Sequence, residues 1–304
     1  MKQNLSMLDY AALSALAAVI REGSFERAAQ TLFVTPSAVS QRIRSLEERV
    51  GCVLVVRGQP CRATDTGRRL CRHVDRVRLL EQELQGALPA LAPEGLTRVA
   101  LPIAVNADSL ATWFAPAVAA FAADAPVLVE LAVDDQDHTT EWLRSGAVLA
   151  AVTGTARPPA GFDSRPLGAM RYLAAASPAY VARHFADGVG ASSLARAPSL
   201  VFNAKDDLQA RWVRRLCHRD VELPRHAVPS AHAFVVAALA GMGWGLHPQV
   251  LIASHLAEGA LVELMPDTPL DVPLYWQHAR AATSLMEGLS RAVLAAAARA
   301  LRLP

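Results

Sequence analysis

Residues 25–44 (FERAAQTLFVTPSAVSQRIR) constrain the fold of this chain more than any other segment. Phe25, Ala29 and Leu32 recur at helical spacing and give a short helix one apolar face, and Val39, Ile43 and Leu46 do the same for a second helix. Ala28 and Ala29 are small enough for two helices to cross closely, with Val34 filling the angle between them. Thr35 followed by Pro36 marks where the second helix begins. The hydroxyl caps orphan amides, and proline at the first helical position gives up an N–H that has no helical partner there. The opposite face then presents Ser37, Ser40, Gln41 and Arg44. Taken singly, these residues suit any solvated bundle surface. Together with the cap, the crossing alanines and the basic residues that follow, they read as a helix-turn-helix whose second helix enters the major groove. Gln41 suits bidentate bonding to adenine, and Arg44 suits guanine or a phosphate. Arg42, with Arg57 and Arg62 further on, is suited to phosphates, which position a protein without specifying sequence.

The flanking residues extend this unit. Leu13, Leu16, Ala17 and Ile20 predict a preceding helix that ends at Gly23-Ser24, and Gly51 predicts a left-handed stop after the recognition helix. Residues 52–63 read as a short two-stranded wing turning at Gly58-Gln59-Pro60. From 64 to about 85 the pattern is helical again, with Leu70, Val74, Val77, Leu80 and Leu84 along one face, which suits pairing with a second copy. Charge divides in the same place. Residues 1–85 hold 13 Lys/Arg against 9 Asp/Glu, a balance of +4, whereas residues 86–304 hold 17 against 19. A basic first third beside a faintly acidic remainder suits a polyanionic partner for the first part.

Past a Pro/Gly-marked linker at 89–95 the texture changes. Short apolar runs at 98–105, 127–133 and 148–153 predict strands covered on both faces, with helices at 109–123 and 138–145 between them. This β-α-β-α-β order predicts a parallel sheet. A second set follows, with strands at 172–176, 199–202 and 244–247 and helices at 178–184, 206–219 and 231–240, and the chain closes with a strand at 274–277 and a helix at 284–301. Two α/β lobes with a cleft between them are expected. Cys52, Cys61, Cys71 and Cys217 form no CxxC and read as free thiols of a reducing compartment. The nine histidines show no metal-binding spacing, and neither an activated nucleophile nor a phosphate loop supports catalysis. No stretch reads as a signal peptide or membrane span, so a cytoplasmic non-enzyme without metal or cofactor is expected.

Several strings also resemble a known family. Phe25-Glu-Arg-Ala-Ala, Ser37-Ala-Val-Ser-Gln-Arg-Ile, Leu46-Glu-Glu, Gly51 and Thr64-x-x-Gly67 resemble the N-terminal domain of LysR-type transcriptional regulators, and the similarity runs through essentially the whole chain. The string from Val105 to Trp113 (VNADSLATW), Ala233-Phe-Val, Leu274-Tyr-Trp and the wing resemble the ArgP/LysG-like branch, which controls lysine and arginine export. Val34-Thr-Pro departs from a Thr-Gln pair common in that branch, and His232 stands where glutamate is frequent.

The resemblance implies three units. These are a winged helix-turn-helix over 8–64, a dimerising linker helix over 65–88, and a periplasmic-binding-protein-like α/β effector domain over 97–304, with lobe I at about 97–168 and 270–304 and lobe II at about 169–269. It implies double-stranded promoter DNA, RNA polymerase and a homodimer or homotetramer as partners, and L-lysine or L-arginine as effector. Within the sensor, Asn106, Ser109 and Thr112 lie where a strand becomes a helix and suit an amino-acid carboxylate, although Asp108 and Ser109 also suit a plain helix cap. Asp134 and Asp135, with Asp137, follow the second strand and suit a cationic group or, equally, a solvated loop. Thr153, Thr155, Asp206 or Asp207 and His232 are the remaining contact candidates. A nucleoid or replication-associated DNA binder with weak ligand response is the alternative reading.

Overall fold

The computed structural model describes residues 8–87, 99–125, 127–134, 139–145, 147–280 and 284–302. Helices α1 (Tyr10–Glu22), α2 (Phe25–Thr31) and α3 (Pro36–Val50) lead to a two-stranded wing, β1 (Val55–Val56) antiparallel to β2 (Arg62–Ala63), and then to the long helix α4 (Asp65–Ala87). Each boundary has a local cause. Asp9 accepts hydrogen bonds from the Ala11 and Ala12 amides, Ser24 accepts from Glu26 and Arg27, and Thr35 accepts from Ala38. Gly23 and Gly51 end their helices at φ 67 and 79, the left-handed region that glycine enters without strain. Leu13, Leu16, Val39, Ile43, Leu46 and Leu54 are sealed into one core beneath these elements. Gly67 sits where a Cβ would lie 2.2 Å from the Leu54 carbonyl oxygen, so the Thr64-x-x-Gly67 string is a close-approach requirement of the wing on α4.

The C-terminal domain begins with β3 (Val99–Asn106). A helical run follows, made of α5 (Ala107–Ser109), a π-turn (Leu110–Phe114) and α6 (Ala115–Asp124). Then come β4 (Val127–Asp134), α7 (Thr139–Ser145), β5 (Ala150–Thr153) and the long strand β6 (Phe162–Ala176). The second set comprises α8 (Pro178–His184), α9 (Ala191–Leu194), β7 (Ser199–Val201), α10 (Leu208–Cys217), β8 (Arg225–Ala227), α11 (Ala231–Leu239), β9 (Gly245–Pro248), α12 (Gln249–Ala257) and β10 (Val262–Glu263). Strand β11 (Leu270–Ala279) and helix α13 (Ser284–Ala300) complete the domain.

The main sheet runs β10-β6-β11-β5-β3-β4, with β9 also paired to β6. Strands β4, β3 and β5 are parallel, as the alternating pattern predicts, but β11 and β6 join them antiparallel, so the sheet is mixed. Strand β6 is the main departure from the sequence expectation, which begins a strand only at 172. Pro166, Gly168 and the flanking Arg165 and Arg171 interrupt the apolar pattern, yet β11 pairs with the whole run from Phe162 to Tyr172. The lobe boundary expected at 168/169 therefore falls inside a continuous strand. Strands β8 and β10 and helices α9 and α12 are likewise unforeseen, and β8 carries three exposed residues with no apolar signal at all.

The two units of the chain touch. Arg72 Nη1 donates to the Arg144 carbonyl at 3.4 Å, joining α4 to α7, and a cavity of ≈ 600 Å³ lies between α1, the wing and α4 on one side and β3, β4 and α7 on the other. Arg21 and Asp75 face each other there at 3.7 Å, and burial raises the Asp75 carboxyl above its ordinary value.

His247 on β9 is wholly buried edge-on to Phe234, with ring centroids 5.1 Å apart. Burial pushes its imidazole down to about 4, and a contact to the Ala175 backbone offsets only part of that effect. The unfolded chain therefore takes up this proton near 6.5 and the native chain only near 4. The stability gained from a neutral His247 is complete above the upper value and lost as the pH falls toward the lower one, with a slope of up to about 1.4 kcal/mol per pH unit. Denaturant titrations at pH 7 and pH 5 are expected to show a smaller acid destabilisation in His247→Phe than in the parent chain. Equal losses in both would remove His247 as the cause.

Candidate nucleic-acid interface and ligand site

Helix α3 divides cleanly into two faces. Val39, Ile43 and Leu46 are at most 2% exposed, whereas Pro36, Ser37, Gln41 and Arg44 stand in solvent and Ser40 and Arg42 are half-buried at the margin. The exposed set Ser37, Gln41 and Arg44 follows the i, i+4, i+7 spacing of one helical stripe. Arg44 Nε donates to Glu48 Oε1 at 3.2 Å, but both side chains are largely exposed, so the pair holds Arg44 only weakly. Phe33 makes the turn before α3 at φ 54, and the Val34 amide returns to the Ala29 carbonyl.

The wing is fixed to this helix by a residue the sequence does not announce. The Glu47 carboxylate accepts from the amides of Leu54 at 2.7 Å and Val55 at 3.3 Å. Arg57 lies over the Phe25 ring at 5.1 Å, and Arg62 is exposed on β2. Arg57 thus lies against the start of α2, and Arg62 borders the cavity between the wing and the C-terminal domain. Nothing in the local pattern marks Glu47 apart from the other carboxylates of α3, because its partners lie across a turn.

In the C-terminal domain the parallel strands bring several candidates into one row. Asn106, the last residue of β3, is the register partner of Asp134, the last of β4. On the other side β3 pairs with β5 at Ala104 and Ala151, so Thr153 lies the same two residues further along as Asn106. Asn106 is 1% exposed, and neither its amide nitrogen nor its amide oxygen has a hydrogen-bond partner among the described residues; the same holds for the buried Ser109 hydroxyl. A helix cap does not account for them, since Asn106 occupies the cap position without a side-chain bond. Buried polar atoms without partners are uncommon and costly, and they call for a polar occupant. Thr153 is tied back to Thr155, whose carbonyl also accepts from Gln277 Nε2 at 2.6 Å, while Gln277 Oε1 is a further unpartnered buried atom. Asp108 accepts a 2.7 Å hydrogen bond from the Tyr172 hydroxyl. Tyr172 and Gln277 come from strands remote in sequence, so no local motif points to them.

Other candidates fall elsewhere. The Thr112 hydroxyl donates to the Asp108 carbonyl at 2.7 Å, and the residue lines a separate cavity of ≈ 410 Å³ with Arg171, Gln249 and Arg302. Asp206 accepts from the Phe202 and Leu208 amides, and Asp207 faces Arg211 at 3.7 Å, so both shape their own loop. His232 is exposed in the first turn of α11, and no described contact joins it to the Asn106 group. Asp135 and Asp137 lie outside the described residues. Among the described residues no group of histidine, cysteine, aspartate or glutamate is disposed to hold a metal ion, and no helix is long and apolar enough to cross a membrane.

Residues 10–68 match the bacterial regulatory helix-turn-helix proteins of the lysR family, and residues 94–298 match the LysR substrate binding domain. Among curated relatives, the HTH-type transcriptional regulator ArgP of Pseudomonas fluorescens strain Pf0-1 is 48% identical over 293 residues, 96% of this chain and 98% of that protein. The crystal structure of ArgP from Mycobacterium tuberculosis is similar over 98% of this chain and 100% of its own, with 46% identity and a TM-score of 0.86. Full-length LysG from Corynebacterium glutamicum, with bound effector Arg, covers 97% of this chain and all of its own at 39% identity and a TM-score of 0.76.

Because the Ser109 hydroxyl is buried without a partner among the described residues, Ser109→Ala is expected to raise the stability of the ligand-free protein by on the order of 1 kcal/mol. Scanning calorimetry checks this, and a lowered midpoint would show that the hydroxyl is satisfied within the fold.

Proposed function

The chain belongs to the LysR family of transcriptional regulators, in its ArgP/LysG branch, and on that premise we propose that it reads promoter DNA through α3 in response to a basic amino acid, L-lysine or L-arginine. It is a regulator with a DNA-binding helix-turn-helix, not an enzyme. In this reading Gln41 and Arg44 contact base edges, with Ser37 and Ser40 as smaller hydrogen-bonding groups beside them and Pro36 fixing the start of the helix. Arg42, Arg57 and Arg62 hold phosphates on either side. The protein acts as a homodimer or homotetramer. Leu80 and Leu84, exposed one turn apart on α4, supply an apolar stripe for a second copy. An amino-acid export gene is the target, and RNA polymerase is the partner at the promoter.

A single observation carries the effector assignment. The end of β3 and the following turn hold a buried amide and a buried hydroxyl without partners among the described residues, beside the strand that ends at Asp134. This chain aligns along nearly its whole length with LysG, whose structure contains bound effector Arg. A free amino acid supplies what such a place lacks. Its carboxylate accepts from Asn106 Nδ2 and Ser109 Oγ, and its cationic groups pair with carboxylates, for which Asp134 and Asp135 are the candidates by sequence. Thr153 contributes from the neighbouring strand end. Thr112 and His232 are left out of this site, the first because it lines a separate cavity and the second because it stands apart. Binding alters transcription only insofar as the effector favours one arrangement of the regulator over another.

Gln41→Ala and Arg44→Ala are each expected to weaken binding to the native operator by about 1–3 kcal/mol, with much smaller losses on unrelated DNA. Gel-shift titrations at fixed salt measure both. Unchanged operator affinity in the two variants would remove them from the reading face.

A further inference from the structure

Gln277 on β11 is wholly buried, and its side-chain amide is only half engaged. Nε2 donates to the Thr155 carbonyl at 2.6 Å, whereas Oε1 has no hydrogen-bond partner among the described residues. A carbonyl oxygen only accepts, so this bond fixes which end of the amide is nitrogen and leaves the oxygen as the open acceptor. The Thr153 hydroxyl donates to the same carbonyl at 3.0 Å and accepts from the Thr155 amide. The Gln277 amide is thereby pinned at the C-terminal end of β5.

Sheet register puts it on the same face as Asn106. Gln277 lies opposite Ala151 on β5, and Ala151 lies opposite Ala104 on β3. Register partners point to one face, as do residues two apart along a strand, so Gln277, Thr153 and Asn106 share a face. Packing agrees. Ala279, Ala151 and Ala104, each two residues from one of these three, join Leu143 of α7 in one apolar cluster. This face therefore carries two buried amides across β3, β5 and β11, with both polar atoms of Asn106 and the oxygen of Gln277 unpartnered. Ser164, opposite Gln277 on β6, has an unpartnered hydroxyl as well, so the two do not satisfy each other.

A buried acceptor without a donor is costly, and the group it lacks has to bring an N–H or O–H. With an effector carboxylate held at Asn106 and Ser109, that donor arrives from across β5. Strands two apart are separated by roughly 10 Å, a gap that a long side chain crosses and a short one does not. Lysine and arginine both end such a chain in several N–H groups. We propose that Gln277 Oε1 accepts an N–H from the side-chain cation of the effector, with the Ser164 hydroxyl as a second acceptor beside it. Gln277 is then a specificity-determining contact. A neutral oxygen selects for the donor rather than for its charge, and an aliphatic side chain of equal length leaves it unpaired. The proposal rests on the effector reading given above and adds to it an uncharged acceptor on a strand remote from the other contacts.

The test is calorimetric titration of the full-length protein and its Gln277→Leu variant with L-lysine, L-arginine and L-norleucine, the last measured by displacement of bound lysine. Norleucine keeps the length of the lysine chain and lacks the terminal nitrogen. The parent protein is expected to bind lysine and arginine more tightly than norleucine. In Gln277→Leu the affinities for lysine and arginine fall by about tenfold or more while that for norleucine holds, so the gap narrows. A gap that survives in the variant overturns the proposal. An equal loss for all three ligands also overturns it, because it marks Gln277 as a support for the Thr153–Thr155 turn or as the holder of a water molecule. A crystal structure of the parent protein with L-lysine gives the answer without a substitution: Nζ within hydrogen-bond distance of Gln277 Oε1 is expected, and Nζ bonded elsewhere contradicts the proposal. Failure of the parent protein to bind any basic amino acid overturns the effector reading itself, and this proposal with it.

Discussion

The antiparallel pairing of β6 with β11 is the constraint on which the rest of the C-terminal domain depends. Its register runs from Phe162 opposite Ala279 to Tyr172 opposite Leu270, with one irregularity between Leu274 and Tyr275. Through it the last strand of the chain is laid between β6 and β5, so the parallel trio β4, β3 and β5 is locked to the strands of the second set. Beyond Tyr172 the same strand pairs with β9 and β10. Any ligand-driven movement of one set against the other must bend β6 and β11 near that exchange, because those strands are shared. The Tyr172–Asp108 hydrogen bond joins this point to the start of the helical run after β3.

How far the sequence discloses this arrangement depends on the range of the forces involved. The helix-turn-helix is set by contacts within a few residues: Thr35 capping α3, the left-handed glycines at 23 and 51, and apolar spacing on three short helices. All of these can be read from a single line of letters. The parallel trio is legible as well, since strands buried on both faces form continuous apolar runs. Strand β6 is not, because its pairing with β11 brings together residues about a hundred positions apart, as in the Arg171–Asp271 pair across the two strands, and so tolerates a proline and a glycine that a local reading takes as breaks. Strand β8 is exposed and short, and only its pairing with β7 makes it a strand.

The candidate ligand site divides along the same line. Asn106, Ser109 and Thr153 are legible because they follow apolar runs at strand ends, where α/β folds bind their ligands. Tyr172, Gln277 and the hydrogen bond from Tyr172 to Asp108 emerge only once remote strands are laid side by side. Thr112 illustrates the converse: one turn along the same helical run its hydroxyl returns to the Asp108 carbonyl, and the residue faces another cavity. The link to the N-terminal unit is equally nonlocal. Helix α7, which follows β4 in the chain, meets α4 through the Arg144 carbonyl and Arg72, residues 72 positions apart.

In the proposed function this LysR-family regulator binds a basic amino acid in its C-terminal domain. A ligand that binds only the folded state raises the unfolding midpoint in proportion to its occupancy. Thermal unfolding of the full-length protein in the presence of each of the twenty amino acids in turn measures this binding. A dose-dependent rise is expected with arginine, lysine or both and none with the neutral and acidic amino acids. No rise with either basic amino acid, or an equal rise with neutral ones, would contradict it.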